Sequence, residues 1–236
     1  MERTTKSLKD IPRYGWLIAI GLFVMDTASY YFGTLFSRLL GTISWQLAPK
    51  IAIIDDNIPF IAILVIPYLL SYAFWVVGAA FVSLTDKKNY TDFILSMCLA
   101  YTIGFLFFAL MPTYIDRLAE GALSRAEGPG LLPFLLRITY KNDGGRYGFN
   151  LFPSFHCMIS VFCYLGIRKR EEVSKGIRIY TFVSTIVICL STVCIKQHYI
   201  LDVFGGIGLA IACFAAVKKF NLSSKILKTK LDQTTN

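Results

Sequence analysis

Only two histidines occur in the 236 residues, and each stands at the edge of an apolar run beside groups that could assist it. His156 closes the stretch Asn150-Leu-Phe-Pro-Ser154-Phe-His156, and His198 lies in Ser191-Thr-Val-Cys-Ile-Lys196-Gln-His198-Tyr-Ile-Leu-Asp202. Asp202 follows His198 by four residues at the expected start of a helix, so the two side chains share a face and can meet. A carboxylate on one ring nitrogen fixes the tautomer and frees the other nitrogen as a base or nucleophile. His156 is expected at the start of another helix, behind Pro153 and Ser154, where backbone N–H groups and the helix dipole favour an anion. Lys196 and Arg117 would add cationic donors to the same rim. Together these groups describe phosphoryl transfer. One histidine attacks phosphorus, the other protonates the leaving oxygen, and the cations hold the phosphoryl oxygens.

The elements that must position these groups are apolar. The chain is 55% apolar and 15% aromatic with 17% charged residues, against roughly 25% charged in an ordinary soluble domain. Several runs of about 20 apolar residues are long enough to cross a hydrocarbon core as helices. The expected fold is therefore all-α, a polytopic membrane protein with six transmembrane helices in one bundle. Residues 1–13 form a cytoplasmic N-tail, 14–217 the six-helix domain, and 218–236 a basic cytoplasmic C-tail. The spans are expected at about 14–36, 58–84, 91–111, 151–167, 179–195 and 198–217. The second is expected to start at the Asn57 cap with Pro59 in its first turn and to kink at Pro67. Residues 112–150 form the long active-site connection, with Gly144, Gly145 and Gly148 giving its last stretch freedom to approach a ligand. The charged start of the chain resembles a signal peptide, but its apolar run is too long and lacks a clean cleavage site, so it is read as an uncleaved first helix.

Other features of the sequence are compatible with this reading. The six cysteines, Cys98, Cys157, Cys163, Cys189, Cys194 and Cys213, show no pairing framework and read as small buried hydrophobes. A metal site joining them to His156 is disfavoured, because Cys157, as its immediate neighbour, points to another helix face. The net charge of +9 does not mark a nucleic-acid partner, because no basic stripe interleaved with aromatics occurs. Asp26 lies near the middle of the first span, where a carboxylate should face the bundle interior. Either it contacts a headgroup or a proton, or, as the more economical reading, it makes an inter-helix hydrogen bond.

The cations instead orient the chain. With six spans, the N-tail (Arg3, Lys6, Lys9, Arg13), the Lys87–Lys88 loop, the 168–178 loop and the C-tail hold sixteen of the 24 Lys and Arg residues on one side. The positive-inside rule places that side and both termini in the cytoplasm. Arg117, His156, Lys196 and His198 then share the extracytoplasmic face. A single histidine at a membrane interface is more often a wetted structural residue. Two on one face, one of them with a carboxylate, reverse that weighting.

Pro153-Ser154-Phe155-His156 and Ser191-x6-His198-x3-Asp202 resemble the second and third signature motifs of the type 2 phosphatidic acid phosphatase superfamily. Pro112-Thr-Tyr-Ile-Asp-Arg117 resembles a degenerate form of the first. The resemblance covers roughly residues 59–217, and the two histidine motifs look closest to inositol phosphorylceramide synthases and their bacterial relatives. It implies that His198 is the nucleophile that forms a phosphohistidine, that Asp202 orients it and that His156 is the general acid. It also implies that Arg117, Ser154 and Ser191 hold the phosphate and that no metal or other cofactor is needed. Four positions depart from the pattern: Leu110, Leu118, Thr192 and Phe155 stand where the family has lysine, proline, arginine and glycine. Two cations of the cradle are thus absent, and Lys196, with Lys141 or Arg146 behind it, is expected to supply the charge that a partly dry phosphate needs.

The expected function is that of a metal-independent lipid phosphatase of the plasma membrane, acting on a phospho- or diphospho-lipid at the extracytoplasmic leaflet. Its expected partners are the bilayer and a lipid phosphate substrate, with no nucleic acid. The same site could instead pass a phosphoryl-headgroup to an alcohol. A non-catalytic membrane protein with a degenerate site is the reading of a different class. The sequence names neither the lipid nor an oligomeric state.

Overall fold

The computed structural model describes residues 6–226. Arg3 of the N-tail and Lys228 and Lys230 of the C-tail lie outside these residues. Nine α-helices, three short 3-10 helices and one two-stranded sheet are formed among the described residues. The helix α1 (Arg13–Leu39) is followed by the single turn α2 (Ala52–Asp55), then α3 (Val65–Val82) and α4 (Lys87–Leu110). The strands β1 (Tyr114–Asp116) and β2 (Tyr147–Phe149) pair antiparallel, with Ile115 opposite Gly148, and enclose α5 (Ala122–Arg125) and α6 (Leu131–Asn142). The chain ends in α7 (Phe155–Ile167), α8 (Lys175–Cys194) and α9 (Ile200–Lys219).

Among the described residues five segments are long and apolar enough to cross a membrane: α1, residues 62–82 that include α3, α4, α8 and α9. The remaining apolar helix, α7, has 13 residues, a length of about 20 Å at 1.5 Å per residue. It falls short of the roughly 30 Å hydrocarbon core, yet it is the centre of the bundle. Only His156 and Tyr164 of its residues are not buried, and it packs on α3, α4, α8 and α9. By contrast α1 buries only Gly15, Ala19, Leu22, Gly33 and Ser37. These fall at spacings of three, four and multiples near 3.6, so one narrow stripe meets α4 and α3 while Leu17, Val24 and Phe32 face outward.

Helix starts differ from expectation in informative ways. The second long helix begins at Val65, not beside Asn57, because residues 52–55 already form a separate turn and Asn57 closes it with its backbone N–H on the Ile54 carbonyl at 3.0 Å. Pro67 therefore sits in the first turn of α3, where its missing N–H has no intrahelical partner to lose and no kink is forced. α4 starts earlier than expected, at Lys87, because Asp86 caps it by accepting the Asn89 N–H at 2.8 Å. α8 likewise starts at Lys175, with Ser174 accepting from Ile177 N–H at 3.3 Å. α7 starts at Phe155 and α9 at Ile200, so Leu151 and His198 precede their helices instead of opening them.

The loops sort into two ends. Lys6 donates to the Leu84 carbonyl at 2.8 Å and pairs backbone to Glu172, while Arg170 bonds Asp86 and donates to Asn89 Oδ1 at 2.6 Å. At the other end Ile200 N–H donates to Asp55 Oδ1 at 2.8 Å, and Lys50 and Tyr199 both reach Glu120. Both histidines lie at this second end.

Candidate active site

The site is assembled by the starts of α7 and α9. Ser154 caps α7, its hydroxyl accepting from Cys157 N–H at 3.5 Å, and its own N–H donates to the Asp202 carbonyl at 3.0 Å. That bond ties the first turn of α7 to the first turn of α9. Gly206 makes the approach possible, since a Cβ there would lie 2.3 Å from the Ser154 carbonyl oxygen. His156 and His198 consequently meet with ring centroids 6.0 Å apart.

His198 does not share a helical face with Asp202 as expected, because it lies before the helix. A tight turn does the work instead. The N–H groups of Gln197 and His198 both bond the Thr192 carbonyl, at 2.9 and 3.1 Å. Lys196 adopts a left-handed φ of 52° to close this turn, at a cost of roughly 1–2 kcal/mol for a residue with a Cβ. The turn brings His198 Nδ1 to 3.4 Å from Asp202 Oδ2, within ion-pair reach but not aligned as a hydrogen bond. Asp202 is fully buried, and the same Oδ2 accepts Tyr199 N–H at 2.8 Å, which fixes the carboxylate. With Nδ1 turned to Asp202, Nε2 of His198 is the nitrogen on the cavity side. His156 is held by aromatic rings: it stacks on Tyr68 at 4.3 Å and meets the edges of Trp75 at 4.8 Å and Tyr72 at 5.5 Å. Trp75 is in turn anchored, its indole N–H donating to Ser160 at 3.0 Å.

Both histidines line one cavity of 320 Å³. Its other wall comes from α1 and α3, with Asp26, Tyr30, Tyr31, Tyr68 and Tyr72, and is closed by Asp143 from the loop after α6. Among the described residues no Lys, Arg or Ser side chain lines it. The expected phosphate cradle is thus placed around the site but not in it. Arg117 is fully buried, donating to the carbonyls of Asp143 (2.9 Å) and Gly145 (2.7 Å), to the Asp143 carboxylate and to Gln197 Oε1 at 2.5 Å. Gly148 leaves room for it, because a Cβ there would lie 2.3 Å from its Nη2. Lys196 donates to the carbonyls of Asp55 (2.9 Å) and Ile58 (3.1 Å). Ser191 donates to the Ile188 carbonyl at 2.6 Å. Arg146 is exposed and forks onto Asp116 at 2.7 Å, which holds that carboxyl below its usual value, and Lys141 is exposed at the end of α6.

Among the described residues no three His, Cys, Asp or Glu side chains converge as metal ligands. The four tyrosines, Asp143 and Gln197 were not legible as site residues. One signal was available. A Tyr hydroxyl within a lipid-crossing segment needs a polar partner or an aqueous cavity, and Tyr68 and Tyr72 stand four apart on one helix.

No curated protein and no solved structure matches the chain significantly. A family profile, that of the PAP2 superfamily, matches residues 42–216. The match takes in α2 through most of α9, with both histidine-bearing segments and the Arg117 loop inside it. The chain belongs to the PAP2 superfamily, a family of phosphatases and lipid phosphotransferases.

Proposed function

We propose that the chain is an integral-membrane phosphatase that cleaves a phospho- or diphospho-lipid at the extracytoplasmic leaflet through a phosphohistidine. The observation that carries this reading is the convergence of His198, backed by Asp202 at 3.4 Å, and His156 at 6.0 Å between ring centroids, on one cavity. His198 Nε2 forms the bond to phosphorus while the P–O bond to the lipid alcohol breaks. His156 gives its proton to that oxygen, and Asp202 stabilises the imidazolium that develops. Water then attacks phosphorus, its proton passing to His156 as the N–P bond breaks. The first N–H groups of α7 are assigned to the phosphoryl oxygens. Ser154, Ser191, Arg117 and Lys196 join them only by leaving their present partners, with Lys141 and Arg146 further sources of charge. The extracytoplasmic placement is supported by the lysines and arginines grouped at the opposite end of the bundle.

A second reading is headgroup transfer to an alcohol, of the inositol phosphorylceramide synthase type. The cavity favours it: 320 Å³ falls in the range of small-molecule pockets, roughly 300–1,000 Å³, and leaves room beside a phosphoryl group. Phosphate release from a panel of lipid phosphates by purified protein in EDTA, paired with His198→Ala, tests both. Release that survives EDTA and disappears in the variant supports the phosphatase. No release, but a labelled headgroup moving to added diacylglycerol or ceramide, replaces it with the transferase. Silence in both, with folded protein that does not bind vanadate, leaves a non-catalytic membrane protein with a degenerate site.

A further inference from the structure

The end of the bundle away from the histidines carries an unbalanced charge. Residues 6–13, 86–92, 168–178 and 218–225 hold thirteen Lys and Arg against five Asp and Glu, whereas the remaining described residues hold eight of each. Four of the thirteen cations converge. Lys88 is in the first turn of α4, Arg168 and Arg170 follow α7, and Lys218 is in the last turn of α9. The charges of the first three all act on the Lys218 ammonium. The platform under them is fixed: the Asn89 amide donates to the Gly166 carbonyl at 2.8 Å, Arg170 donates to Asn89 Oδ1 at 2.6 Å, and α9 packs on both α4 and α7.

The acids nearby do not balance this group. Arg170 takes Asp86, and Lys88 holds Asp92 at 3.1 Å. Among the described residues Arg168 and Lys218 have no ion-pair partner. The helix dipole accounts for part of the pattern, because cations are favoured at the C-terminal ends of α7 and α9. It disfavours Lys88, which stands at the positive end of α4. A lysine there, brought toward three further cations, points to a shared anion. The Lys88 ammonium has three donors and can serve Asp92 and that anion together.

The surroundings fit a lipid. Tyr14, Tyr180 and Phe220 are exposed at the same end, as aromatic residues are at headgroup level. The stem of Lys218 is braced, its ammonium lying 4.2 Å from the centroid of the Phe214 ring. The exposed face of α9 that ends at Lys218 is apolar, with Phe204, Gly208, Ile211 and Ala215 at spacings of three to four residues, a track along which an acyl chain can lie.

We propose that this end of the bundle binds an anionic phospholipid of the leaflet away from the histidine cavity, with its phosphate held by Lys88, Arg168 and Lys218 and a chain along α9. The site goes beyond the proposed function and does not depend on it, since no bond is made or broken there.

Binding tests it. Full-length protein in a nonionic detergent is titrated with dioctanoyl phosphatidylglycerol, and attachment of the first lipid is read by native mass spectrometry. Two ligands are titrated in parallel: dioctanoyl phosphatidylcholine, which has the same phosphodiester with a balancing ammonium, and glycerol 3-phosphate, a soluble anion. Phosphatidylglycerol should bind about 10-fold tighter or more than either, given roughly 1 kcal/mol for each cation near an anionic headgroup. Lys88→Gln/Arg168→Gln/Lys218→Gln protein should lose that preference. Arg168→Gln/Lys218→Gln, which keeps the Lys88–Asp92 pair and so its fold, should lose most of it. Lys9→Gln/Lys169→Gln/Lys175→Gln removes the same charge from exposed positions of the same end and should keep it. Equal binding of the two lipids, or a preference that survives the first two variants, would overturn the proposal. An equal loss in the third variant would overturn it too, by showing a diffuse field and no site. Glycerol 3-phosphate binding as tightly as phosphatidylglycerol would replace the lipid with a soluble anion.

Discussion

The two walls of the cavity are built differently. The histidine wall stands on the starts of α7 and α9, in the most buried part of the bundle, where Ser154 N–H bonds the Asp202 carbonyl, Tyr199 N–H fixes the Asp202 carboxylate and Tyr68 stacks on His156. The opposite wall stands on α1 and α3, and among the described residues its Asp26 carboxylate has no hydrogen-bond or ion-pair partner. The histidine wall holds a nucleophile and an acid in a kept geometry. The α1 wall is tied to the loops instead, through Asn150 on the Tyr30 carbonyl and Thr34 and through the Tyr30 hydroxyl on Asp143. Two kinds of side chain that the sequence placed together, histidines and cations, are separated in the fold. The histidines face the cavity, whereas Arg117, Lys196 and Arg146 of the expected cradle are bonded to protein groups.

The sharpest way to break this comparison is to remove the histidines. His198→Ala should lower turnover by about 10³-fold or more, the scale of losing a covalent nucleophile. His156→Ala should cost about 10²–10⁴-fold on a lipid substrate. On an aryl phosphate, whose leaving group needs no proton, it should cost far less, while His198→Ala should be equally inactive on both. A His156→Ala protein with the same deficit on both substrates would remove it from the role of acid.

Arg117 comes next, and there stability and catalysis give opposite signatures. As a buried partner of Asp143, its loss leaves an uncompensated carboxylate and should cost about 3–5 kcal/mol, seen as a large drop in melting temperature. A phosphate ligand would instead raise KM with the melting temperature held. Lys196→Ala is the milder version. Loss of its bonds to the Asp55 and Ile58 carbonyls should cost about 1–3 kcal/mol with KM nearly constant. A rise in KM without loss of stability would show that Lys196 turns to the phosphate during the reaction.

The histidine wall was legible in the sequence because its information is local: Ser154 is a cap, and His198 and Asp202 are four apart. Even there the mechanism of contact differed, since a left-handed Lys196, not a helical face, delivers His198. The apolar runs gave the long helices but not their starts, because Asp86 and Ser174 cap earlier than the hydrophobic pattern begins. Of the six expected spans five are long enough to cross a membrane, and the run at 151–167, short already in the sequence, forms α7, a 13-residue helix at the centre of the bundle. The tyrosine wall and the fate of the cations were hidden. Both depend on which residues of α1, α3 and the 112–150 connection come together, and no spacing within one segment encodes that.

The smallest effect is expected at Arg146, and it sharpens the contrast between cavity and surface. Its fork onto Asp116 is solvent-exposed, and exposed pairs of this kind contribute little because water and salt screen them. The Asp116 carboxyl is nevertheless held below its ordinary value by that guanidinium. A depressed folded-state value means stabilisation that is present above the unfolded carboxyl's range and is lost as pH falls through the folded one. Arg146→Ala should therefore leave turnover and the neutral-pH melting temperature nearly unchanged. The acid limb of the wild-type melting curve should move slightly toward that of the variant, and the two should coincide once Asp116 is protonated. A large loss of activity at neutral pH would place Arg146 on the phosphate after all, and would join the surface of the 112–150 connection to the histidine wall that it now only borders.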